Sequence, residues 1–438
     1  MSTKNQLMKE VRANPDDDEP RLVLADWLEE RGDDYGTFIR AQCELAQLAA
    51  DDDRYPQLEV QAEDLFIKNR TRWIKELPKY DGLSWGSHDQ AVHRGHWSHK
   101  SVRSRKREYF TRGFVESASV KDNRSLKANI SKIKKYGLLN SLELLKPIQA
   151  AYDLYAKQKY IRGISFFRFS LPIGYLDSLS FRDKLRTLTV AESDNASRLG
   201  ESVFATEFPK LQALDVSASN LKGSLPEFLK WKSLSGLKWL NLGKTHLKSF
   251  SEAEFKKLIE LKTLSSLSTL DMWSSLGAKQ VELFVKHGSM KRLTRLSLAS
   301  NRFGDAGFAP LANAKFKKLH TLDIRWNALT SKSVQLMEGS KVFRNLYRLN
   351  LCGNRTICDQ AAKALAGSDT FKNLTHLNLG LTSITEKGIK DLLNSQNLNE
   401  IRWLNIGGTE VAPATLKQLK KRFPKAIVQD PHSSGTSL

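Results

Sequence analysis

One apolar frame recurs through most of the chain and constrains its fold more than any other feature. The frame is Leu-x-x-Leu-x-Leu, with Val, Ile or Met allowed at a later Leu slot. It begins at Leu185, Leu211, Leu237, Leu267, Leu293, Leu319, Leu346, Leu374 and Ile401, at intervals of 26 to 30 residues. Weaker copies begin at Val115, Leu139 and Ile161. A period of this length indicates about twelve stacked structural repeats between residues 112 and 430.

Each frame predicts a short strand whose apolar side chains enter a core shared with the neighbouring repeats. A small polar residue follows the frame, for example Asn301, Asn327 and Asn354. Its side chain can bond to turn backbone that burial would otherwise leave unpaired. Helical patterns fill the intervals between strands, as at residues 305–316, 332–342 and 386–393.

Repeats of this length with intervening helices resemble the ribonuclease-inhibitor-like class of leucine-rich repeats. The resemblance implies an α/β solenoid, shaped as a horseshoe or arc, with parallel strands on its concave side and mainly helices on its convex side. It also implies that a protein ligand binds the concave surface.

The outward positions of the predicted strands are therefore the candidate binding site. They combine a polar row with tryptophan and arginine, the residue types most enriched at binding hot spots. The predicted protein-binding residues are Trp239, Trp273, Arg295, Asp323, Arg325, Trp326, Arg348, His376 and Trp403. The alternative interpretation is that some of these side chains pack against neighbouring strand residues.

An acidic helical region, residues 1–76, precedes the repeats, and we call it the head. Asn14-Pro15 ends a first short helix, acidic residues begin the second, and two further helices follow. The strings Ala25-Asp-Trp-Leu-Glu-Glu-Arg-Gly-Asp33 and Phe38-Ile-Arg-Ala-Gln-Cys-Glu-Leu45 resemble the bacterial repeat-companion domain, which is frequent in planctomycetes and precedes repeat arrays. The resemblance implies a small all-α docking or adaptor module without catalytic chemistry.

Charge is distributed unevenly along the chain. The formal net charge is +21, yet residues 1–66 hold 7 basic and 17 acidic residues. Residues 67–438 consequently carry a net charge of +31. Three interpretations are open: an anionic partner for the basic part, an internal contact between the two parts, or a solvated lysine-rich surface.

A basic, histidine-rich connector is predicted at residues 77–111. His88, His93, His96 and His99 are closely spaced, as in short metal-binding tracts, but no cysteine or carboxylate pair completes a site. Exposed loop histidines are therefore favoured, and neither a metal nor a cofactor is expected. The candidate nucleic-acid contacts, which could instead pack against the acidic head, are Arg103, Arg105, Lys106, Arg107 and Arg112.

The remaining features favour a non-enzymatic binding protein. No phosphate-binding loop, nucleophile elbow or His-Glu-x-x-His motif is present, and the three cysteines are scattered. No apolar run is long enough for a membrane span, and no apolar signal segment begins the chain, so a cytoplasmic bacterial protein is expected. The tail, residues 431–438, is polar and predicted to be disordered.

The leading functional hypothesis is a scaffold or adaptor that captures a protein on the concave face of its repeats. In this hypothesis the acidic head either docks a second partner or caps the open end of the solenoid. The alternative is binding of nucleic acid or ribonucleoprotein through the connector and the basic repeat surface. A third hypothesis, association with anionic membrane surfaces, is supported only by the net positive charge of the chain. The sequence specifies neither the ligand nor the oligomeric state.

Overall fold

The computed structural model describes residues 3–86, 110–145, 157–158, 160–167, 173–192, 196–288, 290–424 and 427–429. The predicted histidine cluster, the run from Arg103 to Arg107 and the C-terminal tail lie outside the described residues. Backbone contacts group the described residues into two compact units. The first holds residues 3–192 and 206–215, and the second holds residues 196–205 and 216–429.

The first unit begins with four helices, as the sequence predicts for the head. These are α1 (Lys4–Ala13), α2 (Glu19–Glu29), α3 (Asp34–Gln47) and α4 (Tyr55–Lys75). Side chains cap two of them, because Thr3 accepts a hydrogen bond from the Gln6 amide and Asp33 accepts one from the Tyr35 amide. The buried faces include Leu24 and Leu28 of α2 and Phe38 and Ile39 of α3.

The strands of the first unit confirm the three weak copies of the frame. The strands are β1 (Leu83–Trp85), β2 (Phe110–Thr111), β3 (Phe114–Val115), β4 (Ser117–Val120), β5 (Ser141–Leu144), β6 (Gly163–Phe167), β7 (Thr187–Ala191) and β8 (Ala213–Asp215). Helix α5 (Asn123–Tyr136) follows β4, and 3-10 turns span Leu176–Ser178 and Arg182–Lys184. Strands β4 to β8 pair in parallel and in sequence order, with the same frame position opposite itself in each pair.

Two antiparallel pairings accompany this parallel ladder. Strand β1, which lies in the predicted connector, pairs with β4, and β2 forms a hairpin with β3. The turn of the hairpin places Arg112 and Gly113 at positive φ. Gly113 is required there because an added Cβ would collide with Ile39 of α3.

The hairpin and the four-helix head share one hydrophobic core. Phe110 and Val115 are buried in the same cluster as Phe38, Ala62 and Trp73. The centroid of the Phe110 ring lies 5.7 Å from that of Phe38 and 6.2 Å from that of Trp73. The β2–β3 hairpin therefore contributes to the hydrophobic core of the head.

Buried ion pairs hold the same junction. Arg21 of α2 has no exposed surface, and its Nη2 donates to Oε1 of Glu116 at 3.0 Å. Arg112 pairs with the same Glu116 oxygen at 3.1 Å and with Asp18 at 3.2 Å. Burial raises the pKa of Glu116, and the two guanidinium groups oppose that shift. Internal ion pairs between the acidic head and the basic region are thus present, including Arg162 with Asp16 at 3.3 Å.

The second unit repeats one strand and one helical segment. Its strands are β9 (Trp239–Asn241), β10 (Thr269–Asp271), β11 (Arg295–Ser297), β12 (Thr321–Asp323), β13 (Arg348–Asn350), β14 (His376–Asn378), β15 (Trp403–Asn405) and β16 (Ile427–Gln429). Its α-helices are α6 (Ala196–Ser202), α7 (Leu225–Lys230), α8 (Glu252–Ile259), α9 (Ala278–His287), α10 (Gly304–Phe308), α11 (Ser331–Met337), α12 (Asp359–Gly367), α13 (Glu386–Leu393) and α14 (Pro413–Arg422). Short 3-10 segments span Lys222–Ser224, Lys232–Gly236, Leu247–Ser249, Lys262–Ser266, Ala309–Asn313 and Asp369–Phe371.

All eight strands of this unit are parallel and in register. Leu240, Leu270, Leu296, Leu322, Leu349, Leu377 and Leu404 occupy the same position of successive strands and are at most 1% exposed. Strand β16 adds a further parallel strand beyond the last predicted frame. The frame is therefore confirmed as the repeating unit of an α/β leucine-rich-repeat solenoid.

The asparagines that follow the frame bond to backbone of two repeats. Nδ2 of Asn327 donates to the Leu298 carbonyl at 2.8 Å and to the Ile324 carbonyl at 3.0 Å. Oδ1 of Asn327 accepts from the Asn301 amide at 2.8 Å, and Asn354 makes the equivalent bonds one repeat later. These asparagines thus satisfy buried backbone groups, as the sequence predicts.

Two predicted helical segments are shorter than expected. The segment predicted at 305–316 ends its α-helix at Phe308, and a 3-10 turn containing Pro310 follows. Proline removes a backbone donor and interrupts the α-helical bonding pattern. The segment predicted at 332–342 ends at Met337, and Gly339 then takes a φ of +72°.

Candidate functional site

The nine predicted binding residues lie on or directly after strands β9 to β15 of the second unit. Arg348, His376 and Trp403 occupy the first position of three successive strands and are register partners. Asp323 ends β12, and Arg325 and Trp326 follow it. Since side chains alternate along a strand, the residues on either side of each core leucine point away from the core. We call this surface of β9 to β15 the strand face.

Most of the predicted residues are buried in the strand face. Seven are at most 8% exposed, namely Trp239, Arg295, Asp323, Arg325, Arg348, His376 and Trp403. Neighbouring strands are separated by about 4.8 Å, so large side chains in the same row cover one another. The interpretation that these side chains pack against their neighbours therefore describes most of the patch. Of the nine predicted residues, Trp273 is half-buried and Trp326 is exposed, at 38%.

Charged and aromatic side chains contact one another across the strand face. Nη2 of Arg325 lies 3.0 Å from Oδ2 of Asp323. Burial raises the pKa of Asp323, and the Arg325 charge opposes this. The rings of His376 and Trp403 are 6.3 Å apart between centroids.

Sequence reasoning missed two aromatic members of this surface, His320 and Tyr347. Their ring centroids are 4.7 Å apart, and Nη2 of Arg295 lies 3.5 Å from the Tyr347 hydroxyl. Both residues directly follow the first Leu of their frame, one position before the outward strand positions from which the sequence predicts the site.

Two tryptophans rest on glycines of adjacent repeats. The Trp326 indole lies over Gly353, and the Trp273 indole lies over Gly243. A Cβ at either glycine would overlap the indole ring. Lys244 adds a cation–π contact, with its Nζ 4.9 Å from the centre of the Trp273 ring.

Trp326 occupies a backbone slot that has the left-handed conformation in repeat after repeat. The slot directly precedes the polar residue that follows each frame. It holds Lys244, Ser274, Ser300, Trp326 and Leu381 at φ between +52° and +59°, and Gly353 and Gly408 at larger positive values. We call these positions the left-handed row.

Leu381 is the second large apolar residue of this row. Sequence reasoning predicted Trp326 but missed Leu381. It is 36% exposed and lies against Gly408, as Trp326 lies against Gly353. The signal was present in the sequence, because the same slot is glycine in the repeats beginning at Leu346 and Ile401. A leucine or tryptophan in that slot cannot turn into the core and is left at the surface.

Of the five predicted nucleic-acid contacts, the structure describes only Arg112. Arg112 is engaged by Asp18 and Glu116, and its side chain is only 12% exposed. The head supplies the Asp18 carboxylate and the Pro15 carbonyl to this guanidinium, and Glu116 supplies the second carboxylate. The other four, Arg103, Arg105, Lys106 and Arg107, lie outside the described residues.

Cys43 and Cys352 are buried thiols. Burial raises the pKa of Cys43 to about 12 and that of Cys352 to about 11, which favours the unreactive thiol. Cys358 precedes α12, and its amide donates to the Ser331 hydroxyl at 3.0 Å. Within the described ranges, no group of three His, Cys, Asp or Glu side chains is placed to hold a metal ion. No helix in the described part of the chain has the length and apolarity of a membrane span.

The repeat, its register and its parallel strands define a leucine-rich-repeat solenoid fold. Residues 291–312 match the family model described as Leucine Rich repeat. No curated protein matches the chain.

Two solved bacterial structures are similar to the chain. One is the leucine-rich repeat-containing protein LegL7 from Legionella pneumophila, with 17% identity over 66% of this chain and 99% of that chain and a TM-score of 0.46. The other is an internalin, inlF, from Listeria monocytogenes, with 17% identity over 68% of this chain and 82% of that chain and a TM-score of 0.38.

Proposed function

We propose that this protein is a non-enzymatic scaffold that captures a protein partner on the strand face of its second unit. The single observation that carries the proposal is the exposure of Trp326 and Leu381 in the left-handed row. Both side chains are large and apolar, and both are held on glycines rather than in the core. Apolar surface rimmed by polar residues is typical of contact sites for other proteins, and tryptophan is enriched among the residues that carry binding energy.

The surroundings of these two residues fit a protein ligand. The buried arginines, histidines and tryptophans of the strand face form a packed floor whose side chains have little freedom left to lose on binding. Trp326 and Leu381 belong to repeats two steps apart, which corresponds to about 10 Å at the usual strand spacing. A partner that covers both would remove two apolar side chains from water at one edge of this floor.

For the head, we propose the role of an N-terminal cap. The shared core with Phe110 and Val115 and the buried pair of Arg21 and Glu116 support this role. Repeat arrays need a terminal element that covers the open end of their core. The helical head supplies that cover in the first unit.

Capture from a nuclease-treated lysate tests the scaffold proposal. Wild-type protein is expected to retain a defined protein, and the double variant Trp326→Ala/Leu381→Ala is expected to lose it. The matched control is Leu336→Ala, because Leu336 is 37% exposed but lies on α11, away from the left-handed row. Retention by the double variant, or equal loss with the control, would contradict the proposal.

A further inference from the structure

The loops that precede four successive strands of the second unit carry a dense positive charge. Residues 288–292, 314–318, 340–345 and 368–373 contain eight basic residues and one acidic residue, Asp369. These loops lead into β11, β12, β13 and β14. Because the strands are parallel, their amino ends lie along one edge of the sheet, so the charges of the four loops are brought together.

One position of each loop forms a regular row. Two residues before the first Leu of the frame, the sequence has Lys291, Lys317, Arg344 and Lys372 in consecutive repeats. We call these four residues the basic row. All four side chains are exposed. Lys315 and Lys341, also exposed, lie in the same loops and add to the positive charge.

Hydrogen bonds from asparagine side chains to backbone carbonyls link three of the four loops of the basic row. Nδ2 of Asn345 donates to the Lys317 carbonyl at 3.2 Å, and Nδ2 of Asn373 donates to the Arg344 carbonyl at 3.0 Å. Each asparagine therefore holds its loop against the loop of the preceding repeat. With strands about 4.8 Å apart, four such positions span about 15 Å.

The charges of the basic row are not neutralised by described carboxylates of the same chain. Among the described residues, no carboxylate forms an ion pair with any of its four side chains. Phe343 and Phe371 of these loops are at most 1% exposed. Phe316, in the loop before β12, is half-buried and packs against Phe284, with ring centroids 5.8 Å apart. Among the described residues of these loops, the surface therefore offers evenly spaced cations without a fully exposed aromatic ring on which a base could stack.

We propose that the basic row binds the phosphate backbone of a nucleic acid without reading its sequence. Successive phosphates of one strand are about 3.4 Å apart along the helix axis, so a 15 Å row spans about four nucleotides. A linear series of cations fits a linear series of phosphates, and the lack of base contacts predicts insensitivity to sequence. This surface lies at the amino ends of the strands, whereas Trp326 and Leu381 follow the carboxyl ends.

Fluorescence anisotropy with a labelled 20-nucleotide oligothymidylate tests the proposal on the full chain. The row variant replaces Lys291, Lys317, Arg344 and Lys372 with Gln. The control variant replaces Lys257, Lys332, Lys363 and Lys387 with Gln, which removes the same charge from exposed positions on α8, α11, α12 and α13. Since the whole chain is strongly basic, only this comparison separates a site from a general attraction.

The row variant is expected to bind at least about tenfold more weakly at 150 mM salt, with the control within about twofold of wild type. The slope of log K against log salt should fall by about 3 in the row variant, because each lost phosphate contact contributes about 0.7 for a single strand. A third variant, with Lys291, Lys317 and Lys372 changed to Arg, should retain wild-type binding, because it keeps a positive charge at all four positions of the row.

Three results would overturn the proposal. They are equal weakening in the row and control variants, absence of oligonucleotide binding by wild type, and unchanged oligonucleotide binding by the row variant. Phosphatidylserine vesicles provide a further comparison. If the row variant loses vesicle binding but keeps oligonucleotide binding, the row recognises a lipid surface instead.

Discussion

At the scale of single residues, one backbone slot in each repeat determines which apolar side chains reach the surface. A left-handed conformation costs an L-residue about 1–2 kcal/mol relative to the right-handed one, and glycine avoids that cost. The slot nevertheless holds Trp326 and Leu381, while Gly353 and Gly408 follow in the next repeats. The large residue and the glycine beneath it thus act as a pair.

Gly353→Ala should disturb this pair more than it disturbs the backbone. The added methyl group would overlap the Trp326 ring, so the indole must move and partner capture should fall at least about tenfold. The matched control is Gly339→Ala, because Gly339 has φ +72° against +74° for Gly353 but open space around its Cβ direction. Urea denaturation should show a loss of about 1 kcal/mol for the control and a loss larger by a further 1–3 kcal/mol for Gly353→Ala.

Equal losses of stability and unchanged capture in these two variants would show that Gly353 serves only the backbone turn. In that case the position of the Trp326 ring would not depend on the glycine beneath it.

Residue-level prediction from the sequence succeeded where the chemistry is local. An asparagine three positions after the last Leu slot can reach only nearby turn backbone, and Asn301, Asn327 and Asn354 do so. Burial in the strand face was not predictable in the same way. Whether Arg348 is covered depends on His376 and Thr321 in adjacent strands, which the sequence of one repeat does not reveal.

At the scale of secondary-structure elements, the junction between the head and the β2–β3 hairpin is the least predictable part of the fold. The helices of the head could be predicted from Asn14-Pro15, the acidic residues that begin the second helix and their apolar periodicity. The hairpin could not, because its strands are two residues long and follow α4 only after a long segment without periodicity. Its role becomes visible only through the shared core.

Phe110→Ala should lower the free energy of unfolding of the head. Removing a buried aromatic ring costs about 3–5 kcal/mol, and the Phe110 ring contacts those of Phe38, Phe66 and Trp73. Hydrogen exchange in α3 and α4 should therefore accelerate by roughly 100-fold or more, since opening of this region becomes easier. The control is Phe343→Ala, which removes an equally buried ring from the second unit and should leave exchange in the head unchanged. Wild-type protection of α3 and α4 in the Phe110 variant would show that the head folds without the hairpin.

At the scale of the whole molecule, the period of the frame determines the architecture and leaves the partner open. Parallel strands in constant register follow directly from leucines that recur at 26 to 30 residues, so the fold class could be predicted with its strand positions. A binding surface, by contrast, is defined by where repeats depart from their pattern. Trp326 and Leu381 on one edge, and the basic row on the other, are departures of this kind.

Site-specific photocrosslinking tests the central claim most directly. A benzophenone-bearing phenylalanine would replace Trp326, Leu381 or the control residue Leu336 in separate proteins, each irradiated in nuclease-treated lysate. The account predicts one adduct of the same defined mass from positions 326 and 381 and none from position 336. Absence of an adduct at both row positions, or an equal adduct from position 336, would contradict capture of a protein at the left-handed row.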